Sequence, residues 1–206
     1  MVNRSLLRVT VLLTVVSLSA RIHAKVGSVE FSTLVREADV IVLGNVVDVT
    51  TLKGVKVARV KVLETYKGQK VDELFFLAQP TWVCDISEAV KGETALLLLS
   101  SYTDPRRGME KMFLAPLPSR KELEGAAAGK PMFLIIDSGR GRMPLRTVKG
   151  QQYATLWVGD VRLPASVQTV RDPHQNYSFI RSVRLTDLVR LVGTSMASLS
   201  HLDTRR

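Results

Sequence analysis

From Ala38 to Ser100 the chain is dominated by runs in which β-branched and apolar residues alternate with polar ones. The segment VEFSTLVREA (29–38) precedes them, with Phe31, Leu34, Val35 and Ala38 at helical spacing and Ser28 as an N-cap, which predicts a short amphipathic helix. Asp39 then opens a long strand through Val49, Lys53-Gly54 turns the chain, and VKVARVKVLETYKG (55–68) returns as its hairpin partner. Along that partner the apolar alternation occupies Val55 and Val57, then slips by one residue to Val60 and Val62. Such a slip predicts a β-bulge, the kind of bend that lets strands coil into a small barrel. VDELFFL (71–77) makes the next strand, and Gln79-Pro80-Thr81-Trp82 breaks it. TALLLLS (94–100) is apolar on both faces and reads as a central strand, and Lys111 to Leu114 reads as a fifth. Short strands divided by turns predict a mainly β fold with a small barrel.

Between Pro116 and Pro131 the composition turns Pro-, Ala- and Gly-rich, as expected of a loop or linker. Strands are predicted beyond it at Met132–Ile136, Arg142–Val148, Ala154–Val158 and Val161–Leu163, with Asp172–Tyr177 an exposed loop. A terminal amphipathic helix follows, capped by Thr186, with Leu188, Val189, Val192, Met196 and Leu199 on one face. The expected organisation is a leader over 1–24, a barrel over 25–116, a loop or linker over 117–131 and a β-rich extension over 132–206.

The leader rests on residues MVNRSLLRVTVLLTVVSLSARIHA. Arg4 and Arg8 precede an apolar run from Val9 to Leu18, and no acidic residue occurs before Glu30, which is the layout of a secretory signal peptide. The run is shorter than the roughly 20 residues that span a bilayer. Cleavage after Ala24 or after Ala20 satisfies the need for small side chains, and Ala24 is preferred. The protein is therefore expected to be secreted or periplasmic, without a stable membrane span after the leader is removed.

Charge sharpens this picture. Of the formal net charge of +10, the leader holds Arg4, Arg8 and Arg21, leaving +7 on the rest. Lys53, Lys56, Arg59, Lys61, Lys67 and Lys70 alternate with apolar residues, as on a solvated sheet face. The excess also suits a polyanion such as an acidic glycan, anionic lipid headgroups or a cell-wall polymer, and the expected partner is a protein or an anionic envelope or extracellular component. Nucleic acid is not expected, given the compartment and the scarcity of aromatics interleaved with the basic residues. Cys84 is the single cysteine, so no intrachain disulfide forms and stability must come from packing.

The succession ADVIVLGNVV, VKVLETYKG and WVCDISEAVKGETALLLL resembles the netrin-like module, the OB-type barrel of tissue inhibitors of metalloproteinases and of secreted bacterial proteins. The resemblance covers about a third of the chain and implies an OB-like barrel with short flanking helices. In the inhibitors a disulfide-tethered amino-terminal Cys chelates the target's zinc through its amine and carbonyl. Here cleavage leaves Lys25 or Arg21 first, and Cys84, which stands where the family has a bridged Cys, lacks a partner. Protease inhibition is thus only weakly implied, with Lys25 in the amino-terminal role.

No catalytic residue, cofactor or metal site is predicted. Gly125-Ala-Ala-Ala-Gly129-Lys130-Pro131 is one residue short of a phosphate loop, and Pro131 stands where a hydroxyl is needed. Four residues are candidates for binding a partner. Arg140 and Arg142, in Gly139-Arg140-Gly141-Arg142 after Asp137, would present two guanidiniums on a flexible turn to a carboxylate or phosphate. Trp82 would supply a stacking surface, and Lys25 completes the set. The expected function is a non-catalytic exported binding module. The alternative is an extracytoplasmic hydrolase using carboxylates such as Asp85, Glu88 or Asp137.

Overall fold

The computed structural model describes residues 27–52, 54–80, 86–102, 120–156, 161–171 and 180–203. The predicted leader, Lys25, Trp82, Cys84, Asp85, the predicted strand Lys111–Leu114, Trp157 and the loop Asp172–Tyr177 lie outside the described residues. The described chain runs β1 (Val29–Glu30), α1 (Phe31–Glu37), β2 (Val40–Leu52), β3 (Val55–Lys67), β4 (Glu73–Leu77) and β5 (Thr94–Ser101). It continues with α2 (Arg120–Ala126), β6 (Met132–Ile135), β7 (Arg142–Val148), β8 (Gln151–Leu156), β9 (Val161–Arg162), β10 (Thr169–Arg171), β11 (Arg181–Arg184) and α3 (Leu185–Asp203).

Five strands close a barrel in the spatial order β2-β3-β4-β6-β5 and back to β2. All neighbours are antiparallel except β4 and β6, which run parallel. This is the expected OB-like barrel, with one correction to its extent. Its fifth strand is β6, supplied from beyond the segment 25–116. A parallel pair needs a long crossover, and the stretch between β4 and β6 provides it.

The barrel interior is filled by Val42, Val46, Val60, Leu74, Phe76 and Leu97, among others. On β5, Leu97 and Leu99 join this interior. Leu96 and Leu98 point outward into a second cluster with Phe31, Leu34, Leu188 and Val192 from α1 and α3. A strand apolar on both faces is therefore covered on both, as TALLLLS predicted. At about 1.5–3 kcal/mol for each large aliphatic side chain removed from water, helices over the outer face contribute as materially as the barrel interior does.

The slip along β3 has a different origin from the one expected. Ala58 and Val60 face the interior, while Val55 and Val57 face outward against Leu123 and Ala127 at α2. The side-chain parity from Val55 to Val60 is unbroken; what changes is the covered face. Bulges do occur nearby: the β2–β3 register skips Val47 on β2, and Leu63 and Tyr66 on β3. Gly44 adjoins one of these shifts, where an added Cβ would lie 2.3 Å from Val60 Cγ1, so glycine lets the two strands coil tightly.

The predicted loop or linker over 117–131 contains α2, whose Leu123 is fully buried with Val55, Val57 and Leu77. Lys121, Glu122, Leu123, Glu124 and Ala126 are good helix formers, and Gly125 within the helix and Gly129 beyond it mask that signal. Beyond the barrel, β7, β8, β11 and β10 form, in that spatial order, an antiparallel sheet that joins β5 through β7. The amino-terminal helix begins at Phe31, capped by Glu30 without a side-chain hydrogen bond, and not at Ser28. Its carboxyl end is held by the Lys67 ammonium, which donates to the carbonyls of Val35 (2.8 Å) and Arg36 (3.1 Å), the placement that favours a cation at a helix terminus.

Lys67 and its neighbour Tyr66 give the fold an alkaline signature. Burial lowers the Lys67 pKa from its ordinary 10.5, against an opposing pull from Asp39. Burial, followed by the hydrogen bond its hydroxyl donates to Glu64 (2.9 Å) and that residue's charge, raises Tyr66 well above the ordinary tyrosine value of 10.0. The unfolded chain holds the Lys67 proton to higher pH than the folded one, so Lys67 adds stability as pH rises toward 10.5. Tyr66 acts oppositely: the folded state keeps a phenol proton that the unfolded state has lost, so its contribution falls as pH rises past 10.0. Absorbance titration of the phenolates is expected to show one tyrosine ionising only at strongly alkaline pH, and Tyr66→Phe removes that step. An unchanged titration in the variant rules out this assignment.

Candidate functional site

The two arginines expected on an exposed turn are buried, at 6 % exposure each. Hydrogen bonds place β6 and β7 along β5 as one interrupted strand, with residues 137–140 looping out between them. Asp137, Ser138 and Gly139 take positive φ in succession, a conformation that costs non-glycine residues energy and that tertiary contacts must hold. Those contacts are the arginines. Arg140 Nη1 donates to Asp137 Oδ2 (2.8 Å), and Nη2 donates to the Gly27 carbonyl (2.9 Å), which fixes the segment entering β1. Arg142 grips Glu93 in a fork, Nε to Oε1 at 2.7 Å and Nη2 to Oε2 at 2.5 Å, while Nη1 donates to the Ile86 carbonyl (3.2 Å). The flexible turn is thus a pinned loop, and these donors are directed at the chain's own acceptors. Asp137 lies close to Arg140 in sequence, but Glu93 and the Gly27 carbonyl, which complete the burial, lie too far off to be foreseen.

The carboxylates considered for hydrolysis are dispersed. Asp137 is held by Arg140, and the exposed Glu88 pairs with Lys56 across the barrel surface. Clefts of about 320, 370 and 410 Å³ open among the described residues, each with one carboxylate: Glu30 in the first two and Glu124 in the third. No group of three His, Cys, Asp or Glu side chains among the described residues could hold a metal ion.

The first two clefts adjoin, because both are bounded by Glu30, Arg162 and Pro164. They flank the parallel β1–β9 ribbon, in which Glu30 stands opposite Arg162. Arg36 of α1 lines the first cleft, together with Ser32, Thr194 and Ser195. Arg181, at the start of β11, lines the second, with Val167 and Leu156 of the apolar cluster as part of its wall. Three guanidiniums and one carboxylate therefore line these two adjoining clefts, the groove beside the ribbon.

Their pairing leaves them open to a ligand. Arg162 reaches Glu30 at 3.7 Å, with both side chains more than half exposed, so solvent screens the pair and its worth is at most about 1 kcal/mol. Among the described residues Arg36 donates to Thr33 Oγ1, at 3.4 Å. Among the described residues no carboxylate pairs with Arg181. The hydroxyls of Thr194 and Ser198 donate to carbonyls of their own helix and so present lone pairs, not protons, to the groove.

None of Glu30, Arg36, Arg162 and Arg181 stands out in the sequence. They are gathered around a two-residue parallel ribbon that pairs positions more than 130 residues apart, and so short a pairing leaves no periodicity to read. No helix among the described residues is long and apolar enough to cross a membrane. In comparisons with known proteins, no family model and no curated protein matches the chain.

Proposed function

We propose that the protein is an exported, non-catalytic interaction module of netrin-like type that binds an anionic partner. The observation that carries this reading is the groove beside the β1–β9 ribbon, with Arg36, Arg162 and Arg181 set against Glu30 alone. Guanidiniums are weakly hydrated and fork-shaped, so they bind carboxylate, sulfate or phosphate with directional hydrogen bonds. The net charge of +7 that remains of the full chain's +10 once the leader's Arg4, Arg8 and Arg21 are removed adds long-range attraction to such partners. The OB-like strand order supports the netrin-like assignment, and the basic, apolar leader supports export. Oligonucleotide binding, common on OB-folds, is not proposed, because the groove lies outside the barrel and Phe31, its aromatic residue, is too buried to stack on a base.

The test is retention on immobilised poly-glutamate and on a sulfated polysaccharide at low and high salt, with wild type and an Arg36→Gln/Arg162→Gln/Arg181→Gln variant. Salt-sensitive retention of at least one polymer by the wild type, lost in the variant, is expected. Equal retention of both proteins, or none of either, overturns the reading.

A further inference from the structure

We infer that the groove takes an extended acidic segment of another protein, and that Glu30 acts as a built-in competitor which the segment's carboxylate displaces from Arg162. This rests on the anion-binding reading above and goes further by naming the ligand and the exchange.

Three observations select the ligand. The two clefts share the Glu30–Arg162 pair, with Arg36 lining one and Arg181 the other. Cations distributed over two adjoining clefts suit a strand-like chain, whereas a membrane surface needs a convex or flat basic face. Among hydroxyl-bearing residues, the lining also carries apolar side chains, Leu191, Pro164, Leu163 and Val167. That suits a segment alternating acidic and apolar side chains, since an extended chain sends successive side chains to opposite sides. A glycan site would instead want flat aromatic or amide groups, and the described lining has no Trp, Tyr, Asn or Gln.

The exchange follows from the weakness of the internal pair. Arg162 and Glu30 are 66 % and 55 % exposed, so breaking their contact costs little. An incoming carboxylate with its own apolar neighbours gains both the guanidinium and the wall. Glu30 then repels the segment mildly, which sets a threshold against isolated anions such as acetate. Arg140 contributes as a positioning residue, since its bond to the Gly27 carbonyl fixes the strand that carries Glu30.

The experiment measures binding of a labelled short peptide alternating glutamate and valine, its glutamine–valine counterpart, poly-glutamate and the sulfated polysaccharide. Proteins are wild type, Arg162→Gln and Glu30→Gln, with thermal unfolding confirming that all three fold alike. The alternating acidic peptide is expected to bind tighter than poly-glutamate or the polysaccharide, and the glutamine version to be lost. Arg162→Gln weakens binding about tenfold, the loss of a charge-assisted hydrogen bond. Glu30→Gln strengthens it about threefold, since a competing exposed charge is gone. Weaker binding in Glu30→Gln, or a polymer preferred over the alternating peptide, overturns this inference while leaving the anion-binding reading intact. Failure of every anionic probe defeats both.

Discussion

Arg142→Met is expected to lower the unfolding free energy by about 3–5 kcal/mol, the cost of stranding one partner of a buried ion pair. Glu93 is 13 % exposed at its side chain, and it would lose both hydrogen bonds of the fork. The Ile86 carbonyl would lose its donor as well. Such a loss is a large share of the 5–15 kcal/mol that holds a typical domain folded. The damage should also concentrate where β5 meets β7, because Arg142 is the first residue of β7 and Glu93 precedes β5. The companion variant Arg142→Met/Glu93→Leu removes both charges, and it should recover most of the loss because apolar replacement of a whole buried pair is often neutral. Urea unfolding followed by circular dichroism measures both. A single variant within about 1 kcal/mol of wild type, or a double variant no better than the single, contradicts this account of the pair.

Gly141→Ala is the second large effect, expected at about 3 kcal/mol for a methyl group forced into a filled space. An added Cβ would lie 2.4 Å from the Leu98 carbonyl oxygen and 2.7 Å from Ile136 Cγ1. The first neighbour is backbone of the central strand and cannot swing aside, so the β5 to β7 junction itself must shift. The Gly141 carbonyl also accepts from Leu98 N at 2.8 Å, which that shift would stretch. Gly193→Ala is the control: it lies within α3 with no atom near the added methyl, and should gain about 1 kcal/mol from helix propensity. Thermal unfolding of the two variants should therefore move in opposite directions from wild type. Equal shifts would mean that the close approach at Gly141 is relaxed in solution.

Both effects fall on the loop that sequence reading placed on the surface. Gly139-Arg140-Gly141-Arg142 has the composition of a solvated turn, and nothing within its own neighbourhood says otherwise. Its burial depends on Glu93 arriving from the turn before β5 and Gly27 from the amino-terminal segment, contacts made across 49 and 113 positions. The helix within 117–131 was missed for a related reason, since its seven residues carry one large apolar side chain, Leu123, too few for a period. The closing strand β6 was recognised as a strand yet assigned to the extension, because parallel pairing with β4 leaves no trace in local pattern.

The sequence by itself determined the mainly β character, the long β2–β3 hairpin, the doubly covered strand β5 and the terminal amphipathic helix. Each of these follows from which neighbouring positions are apolar, and water enforces that pattern locally through the free energy of burial. Only the tertiary structure decided which strand closes the barrel, which arginines are buried and which line a groove. Those outcomes depend on charges and backbone groups brought together from distant parts of the chain, and a guanidinium reads the same in sequence whether it meets solvent or a buried carboxylate.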